Sequence, residues 1–175
     1  MCNAIDPVEY IFNRRSIRKY RDETLSDETI NMILSAGMSA PTACDKKSPE
    51  FIVLTDKAKL SDVSEFLPNG AFLADAPLGI IVCGNIKRVH SESLSYMLQD
   101  CSAAIENILL AVSALDLGAC WLGVHPREDR IDNIRKYFSL PADIVPISVI
   151  SVGRPDEVKE GRKRFFKENV HFNKY

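Results

Sequence analysis

The sequence has no run of eighteen or more apolar residues, so no membrane-spanning helix is expected. Its first twenty residues lack the apolar core of a secretory leader, because Asp6, Glu9 and three arginines interrupt them. The expected location is therefore the cytoplasm. The five cysteines (Cys2, Cys44, Cys83, Cys101 and Cys120) stand eighteen or more positions apart, which leaves no Cys-x-x-Cys pair and no zinc spacing. An odd, scattered set without a leader fits reduced thiols, and Cys44 differs from the rest by falling in a loop. Neither G-x-G-x-x-G after a strand nor G-x-x-x-x-G-K-[ST] occurs, so a Rossmann fingerprint and a P-loop are both excluded. There is no H-E-x-x-H and no serine in a nucleophile elbow, and His90, His125 and His171 are scattered. A protein nucleophile is not expected. Repeats, low-complexity segments and an internal boundary are also missing, which leaves residues 1–175 as one domain.

What is present is an ordinary globular composition, 46% hydrophobic and 26% charged, with charge unevenly placed. Residues 14–21, Arg14-Arg15-Ser16-Ile17-Arg18-Lys19-Tyr20-Arg21, carry +5, and residues 156–175 carry +2. With a net charge of −2, the remainder carries −9. A nucleic-acid binder needs a broadly basic face, so this pattern argues against one and permits a small, localised anion site. Arginine matches phosphate with two parallel charge-assisted hydrogen bonds, and serine adds a compact donor. Within the run, alternation points Ile17 at the core; Lys19 and Arg21, being charged, are expected to be only solvated.

Asp6, Pro7 and Glu9 form a capping pattern for a first helix whose apolar side is Val8, Ile11 and Phe12. Ser26 caps a second helix with Ile30, Ile33 and Leu34 inward and Gly37 as its stop. Residues 38–49 break every period and form a loop, where ligand contacts concentrate. Residues 51–54, 78–83, 119–124 and 144–152 are strands, and 57–67 and 127–138 are helices. A turn is expected at Pro68-Asn69-Gly70. The longest helix is expected over 93–117, about 37 Å, ended by Gly118. Residues 156–175 show no period yet carry Phe165, Phe166, Val170, Phe172 and Tyr175, so they form an arm packed on its own body or on a second subunit. Strands separated by helices indicate a layered α/β or α+β sandwich.

In their joint order, several segments resemble the nitroreductase family of FMN-dependent oxidoreductases. They are RRSIRKY at 14–20, SAPTA at 39–43, EFIVLTD at 50–56, ADAP at 74–77, QDCSAAIENILLAVSALDLGACWLGVHP at 99–126 and PISVISVGRP at 146–155. RKRF at 162–165 and VHFNKY at 170–175 resemble the tail of the small, single-domain members. The resemblance implies an α+β, three-layer α-β-α sandwich with a mostly antiparallel central sheet. It also implies a homodimer with swapped tails and FMN at the interface. Arg14, Arg15, Ser16 and Arg18 are then expected to hold the FMN phosphate and the pyrimidine edge, joined at the phosphate by Arg162 and Arg164. Pro41, Thr42, Asp45 and Lys47 are expected to reach the flavin of the other subunit, Asn69 to contact the ring, and Leu122-Gly123 to face its N5 edge. NAD(P)H is the implied hydride donor, and nitroaromatics or quinones the implied acceptors in a ping-pong sequence. No metal, nucleic acid or membrane is expected as a partner.

One segment departs from the family pattern. Where Asn-x-Gln-Pro-Trp is usual, this chain has Asp45-Lys46-Lys47-Ser48-Pro49. An acid and a cation replace neutral amides; where both project to the flavin they are expected to pair with each other or to alter its potential, and otherwise the segment is a remodelled surface loop. That change keeps open a flavin-binding protein without turnover, for storage or sensing. Flavin fragmentation and reductive dehalogenation also stay open. A plain α/β interaction module leaves the two basic clusters without a purpose.

Overall fold

The computed structural model describes residues 8–175, so Cys2 and the cap expected at Asp6 and Pro7 lie outside the described residues. The chain runs α1 (Glu9–Asn13), α2 (Asp27–Met38), β1 (Pro49–Leu54), α3 (Lys57–Glu65), β2 (Leu78–Asn85), α4 (Leu94–Ala114), β3 (Gly118–Gly123), α5 (Glu128–Tyr137) and β4 (Ile144–Gly153). The strands lie in the order β1-β2-β4-β3, and every neighbouring pair is antiparallel. Outside β3, Ser16 adds an isolated parallel bridge to Ala119, which makes the sheet mostly antiparallel as expected.

The strands β2 and β4 are near-continuous apolar runs because both their faces are covered. On one face Ile80, Val82, Ile150 and Val152 pack with Ile33 of α2 and with Met97, Ile105 and Ile108 of α4. On the other, Ile81, Cys83 and Val149 pack with Leu60 and Val63 of α3 and Ile134 of α5. The result is the expected three-layer α-β-α sandwich. Each such side chain contributes about 1.5–3 kcal/mol on burial, so the two faces supply most of the driving force for the fold.

Ser26 caps α2, its hydroxyl accepting from Thr29 N at 3.2 Å. Two glycines behave differently from expectation. Gly37 lies inside α2, not after it, and a Cβ there would stand 2.9 Å from Ile108. Its bareness lets α2 approach α4. Gly118 opens β3 and does not end α4, which stops at Ala114 after 21 residues, about 32 Å. A Cβ on Gly118 would meet the Ile17 Cβ at 2.7 Å. Both are close-approach glycines, a role that sequence spacing does not separate from a helix stop.

No helix among the described residues is long and apolar enough to cross a membrane. Beyond Pro155, residues 156–162 run back along the basic stretch, and the rest of the arm is uncovered: Phe165 is 79% exposed, Phe172 82% and Tyr175 fully. Of the two places expected for the arm's aromatics, the body of its own chain does not supply one.

Candidate functional site

The site is built from two segments far apart in sequence that lie against each other. Ile17 N donates to Ala119 O at 2.9 Å, which seats the basic stretch on the open edge of β3. Ile17 is buried, 7% exposed, as alternation requires, so its neighbours Ser16 and Arg18 are presented outward. The arm then laces on. Arg21 N donates to Arg154 O at 2.9 Å, Asp156 N to Lys19 O at 2.9 Å, and Arg162 N to Phe12 O at 2.7 Å. Side chains tighten the seam: Arg18 N donates to Glu157 Oε1 at 2.6 Å, Lys159 Nζ to Ser16 O at 2.7 Å, and Arg15 Nη1 to Glu160 O.

This seam lines a groove of about 640 Å³ bounded by Phe12, Ser16 and the side chains of Arg14, Arg15, Arg18, Lys159, Arg162 and Arg164. Six cationic side chains and no carboxylate line it. Partial burial and the fields of Arg162, Arg164 and Arg14 hold the Arg15 pKa below its ordinary value. Lys159 is already paired with Glu157 at 2.9 Å, and an anion in the groove would relieve the mutual repulsion of the remaining arginines. Arg14 is held in part by Glu106 at 3.5 Å, and the Arg18 guanidinium lies 5.8 Å from the centre of the Phe72 ring. The sequence-predicted Arg14, Arg15, Ser16, Arg18, Arg162 and Arg164 thus come together in one groove.

From Arg18 and Phe72 the surface continues to the turn holding Asn69 and to the end of β3. The position of a Cβ on Gly70 is 3.4 Å from Leu122 Cδ1, so this turn packs beside Leu122. Gly123 has no atom within 4 Å of where its Cβ would be, which leaves open space above its backbone. Arg130 Nη1 donates to Gly123 O at 2.6 Å and fixes that peptide. The turn holding Asn69 and the β3 end at Leu122 and Gly123 are therefore side by side on the same chain, and none of the three lines the cationic groove.

The loop residues form a separate group. Thr42, Asp45 and Lys47 line a different cavity, about 520 Å³, with Leu34, Met38, Phe51 and Val53, and its lining shares no residue with the cationic groove. Pro41 precedes them and lines neither. Asp45 and Lys47 pair with each other at 3.5 Å, one of the two arrangements the sequence allowed. A single chain does not bring these four to the basic groove.

Four groups of the site were not singled out by the sequence pattern. Glu157 and Lys159 lie in a stretch without a period, Arg130 belongs to an ordinary amphipathic helix, and Cys120 is buried beneath Ser16. The Cys120 thiol pKa is raised by burial against the opposing fields of Arg18 and Lys159 and a hydrogen bond with Ser16. The only signal available for Glu157 and Lys159 was their closeness in sequence to Arg162 and Arg164. No group of three or more metal-ligating side chains occurs among the described residues.

An α-β-α sandwich with a cationic groove at one sheet edge and an open glycine position at the end of β3 defines a class: α+β proteins with a site suited to an anion. The sequence profile of the Nitroreductase family matches residues 11–70 and 65–154. A protein of Methanothermobacter thermautotrophicus, provisionally called an NADH dehydrogenase/NAD(P)H nitroreductase, is 42% identical over 175 residues, covering 99% of this chain and 90% of its own. The structure of an FMN-dependent nitroreductase from Clostridium difficile superposes with a TM-score of 0.89 at 31% identity, covering 96% of this chain and 99% of that one. A provisionally assigned nitroreductase from Desulfovibrio desulfuricans, solved with FMN, gives 0.84 at 28% identity and covers 99% of both chains. This chain belongs to the nitroreductase family.

Proposed function

We propose that the chain is an FMN-dependent NAD(P)H oxidoreductase that works as a cytoplasmic homodimer. The observation that carries this is the groove in which Arg15, Arg18, Arg162 and Arg164 converge with no carboxylate among them. A flavin mononucleotide presents a phosphate dianion at one end and a planar ring at the other, and the residues fit both. The arginines and Ser16 suit the phosphate, and the open backbone at Gly123, beside Leu122 and the Asn69 turn, leaves room for a ring. The names of the C. difficile and D. desulfuricans relatives, FMN-dependent and FMN-bound, support that choice of ligand, and the M. thermautotrophicus name supports NAD(P)H.

Bound in this groove by Arg14, Arg15, Ser16, Arg18, Arg162 and Arg164, FMN would supply the redox chemistry, that of a ping-pong transfer from NAD(P)H to a nitroaromatic, a quinone or a similar acceptor. The chain's own residues bind and orient. Arg14, Arg15, Arg18, Arg162 and Arg164 would neutralise the phosphate and Ser16 would donate a hydrogen bond to it, and positive charge at Arg18 would favour a reduced, anionic ring. Arg130 holds the Gly123 carbonyl and so sets the peptide that faces the ring edge. In the dimer, Pro41, Thr42, Asp45 and Lys47 reach the flavin of the other subunit, and the uncovered aromatics of the arm pack on that subunit.

The test is simple. Purified protein is expected to be yellow with about one FMN per chain (the stoichiometry of a single phosphate groove), and anaerobic NADH or NADPH bleaches it. A colourless protein whose spectrum FMN does not restore overturns the proposal. A yellow protein that neither nucleotide bleaches binds flavin without turning over. Light scattering that finds a monomer at micromolar concentration overturns the dimer.

A further inference from the structure

The loop between α2 and β1 has an unusual backbone. Cys44, Asp45 and Lys47 have φ of 55°, 53° and 54°, the left-handed region, and none is glycine. Each such residue is in a backbone region that L side chains rarely adopt, so the loop's own preferences do not hold it in this shape. Two bonds inside it help: Asp45 N donates to Thr42 O at 3.0 Å, and Lys47 N to Thr42 Oγ1 at 3.0 Å. They close the loop on itself but do not fix it to the body.

Fixing comes from Asp100, in the first half of α4. Its side chain is buried, 4% exposed, and it makes no ion pair among the described residues. Its two oxygens take one bond from each end of the loop. Oδ1 accepts Ala43 N at 2.9 Å, and Oδ2 accepts the Ser48 hydroxyl, itself wholly buried, at 2.7 Å. A carboxylate is desolvated here for two neutral hydrogen bonds, where an apolar side chain would satisfy the packing of α4 more simply. Its two oxygens span the strained residues and leave Thr42, Asp45 and Lys47 facing out. Asn85 N, donating to Ser48 O at 2.9 Å, anchors only the strand end.

We propose that Asp100 is a positioning residue of the flavin site: it staples the two ends of the loop so that Thr42, Asp45 and Lys47 present one preformed face to the flavin of the other subunit. The role at the flavin rests on the function proposed above; the staple itself does not. Asp100 touches neither cofactor nor substrate and acts only through the loop.

The experiment compares the FMN-loaded wild type with Asp100→Ala, Asp100→Asn and Ser48→Ala. Hydrogen exchange of the peptide spanning 42–48, the FMN dissociation constant and the midpoint potential of the bound flavin are measured for each. In Asp100→Ala, the loop amides exchange about tenfold faster or more, as for loss of a local tie of one to two hydrogen bonds. FMN binding weakens by about tenfold on the same grounds, and the potential shifts. Asp100→Asn keeps an acceptor for Ala43 N and offers an amide donor to the Ser48 oxygen, so it restores exchange and affinity toward wild type. Ser48→Ala falls between, and with Asp100→Asn it carries the test should Asp100→Ala not fold. Loop exchange unchanged in Asp100→Ala overturns the staple. A loosened loop with unchanged FMN affinity and potential overturns the role at the flavin. Wild-type protein that binds no FMN overturns the flavin reading and that role with it, while the exchange comparison still decides the staple.

Discussion

The cationic groove and the 42–48 loop are both assembled from residues that no single local element places, yet they are held by opposite means. The groove is redundant: the basic stretch is bonded to β3 and to the arm at several backbone positions, from Ile17 on Ala119 to Arg162 on Phe12. Removing Arg18 or Arg164 takes a cation from the groove and leaves this backbone frame standing. The loop depends on few ties, two of them on the Asp100 carboxylate, and its left-handed residues resist the shape it has. Redundant backbone bonds give a site whose chemistry is changed without changing its geometry; a single staple gives one whose geometry is changed without touching its chemistry.

The largest expected effect tests the redundant half. Arg18→Ala or Arg164→Ala alone weakens FMN binding by about 1.5–3 kcal/mol, the loss of one charge-assisted hydrogen bond. The double variant loses about 3–6 kcal/mol if the two add, roughly 150-fold to 20,000-fold in dissociation constant by fluorescence titration. Melting of the ligand-free protein stays within about 0.5 kcal/mol of wild type, because the bonds that frame the groove come from the backbone. Unchanged FMN retention in the double variant removes the phosphate assignment.

Next in size is Gly118→Ala, which attacks the frame itself. The added Cβ meets Ile17 Cβ at 2.7 Å, and Ile17 is fixed by its own backbone bond to Ala119. Overpacking of this kind costs about 1–3 kcal/mol, seen as a lowered melting temperature, and displaces the whole basic stretch. FMN affinity falls together with stability here, whereas in the arginine variants it falls alone. If Gly118→Ala leaves both untouched, the seat of the basic stretch on β3 is softer than described.

The same contrast explains what the sequence revealed. Apolar periodicity placed all four strands and α2 to α5, because core-facing positions are the ones periodicity records. The two basic clusters stood out because charge of one sign in an acidic chain is conspicuous. Gly37 and Gly118 were misread as helix stops, since a bare Cα serves a stop and a close approach equally well. Asp100 was invisible: one acid inside an apolar helix has no period, and its partners are a backbone amide and a serine more than fifty residues away. Glu157 and Lys159 were hidden likewise, in an arm whose order comes entirely from the segment it lies against.

A smaller effect concerns the seam between arm and basic stretch. The Glu157 carboxyl is held below the usual carboxylate range, first by the Arg18 amide and then by Lys159. A depressed folded-state pKa means that its stabilisation is present above the unfolded value and is lost as pH falls through the folded one. Glu157→Gln keeps an acceptor for Arg18 N, so at pH 7 it forfeits only the charge, about 0.5–1.5 kcal/mol. Its melting temperature then approaches that of wild type as pH drops below about 4.5, the ordinary value for glutamate. A constant gap between the two proteins across that range rules out the charged seam.

Thiol chemistry separates the two regions with almost no energetic effect. Cys44 is exposed in the loop, whereas Cys83, Cys101 and Cys120 are buried. Burial pushes the Cys83 and Cys101 thiols up to about 12 and also raises Cys120. Since the thiolate is the nucleophile, iodoacetamide at pH 8 is expected to modify Cys44 in the native protein and, among the described residues, to spare Cys83, Cys101 and Cys120 until denaturant is added. Peptide mass spectrometry checks this, and stability after Cys44 alkylation stays within about 0.5 kcal/mol, as for a surface change. Cys120 is the sharper probe, because it lies under Ser16 in the laced half of the site. Its protection in the ligand-free protein shows that the groove is framed before any phosphate arrives. Native labelling of Cys120 at a rate near that of Cys44 means instead that the seam opens as readily as the loop, and the division between a redundant half and a stapled half then fails.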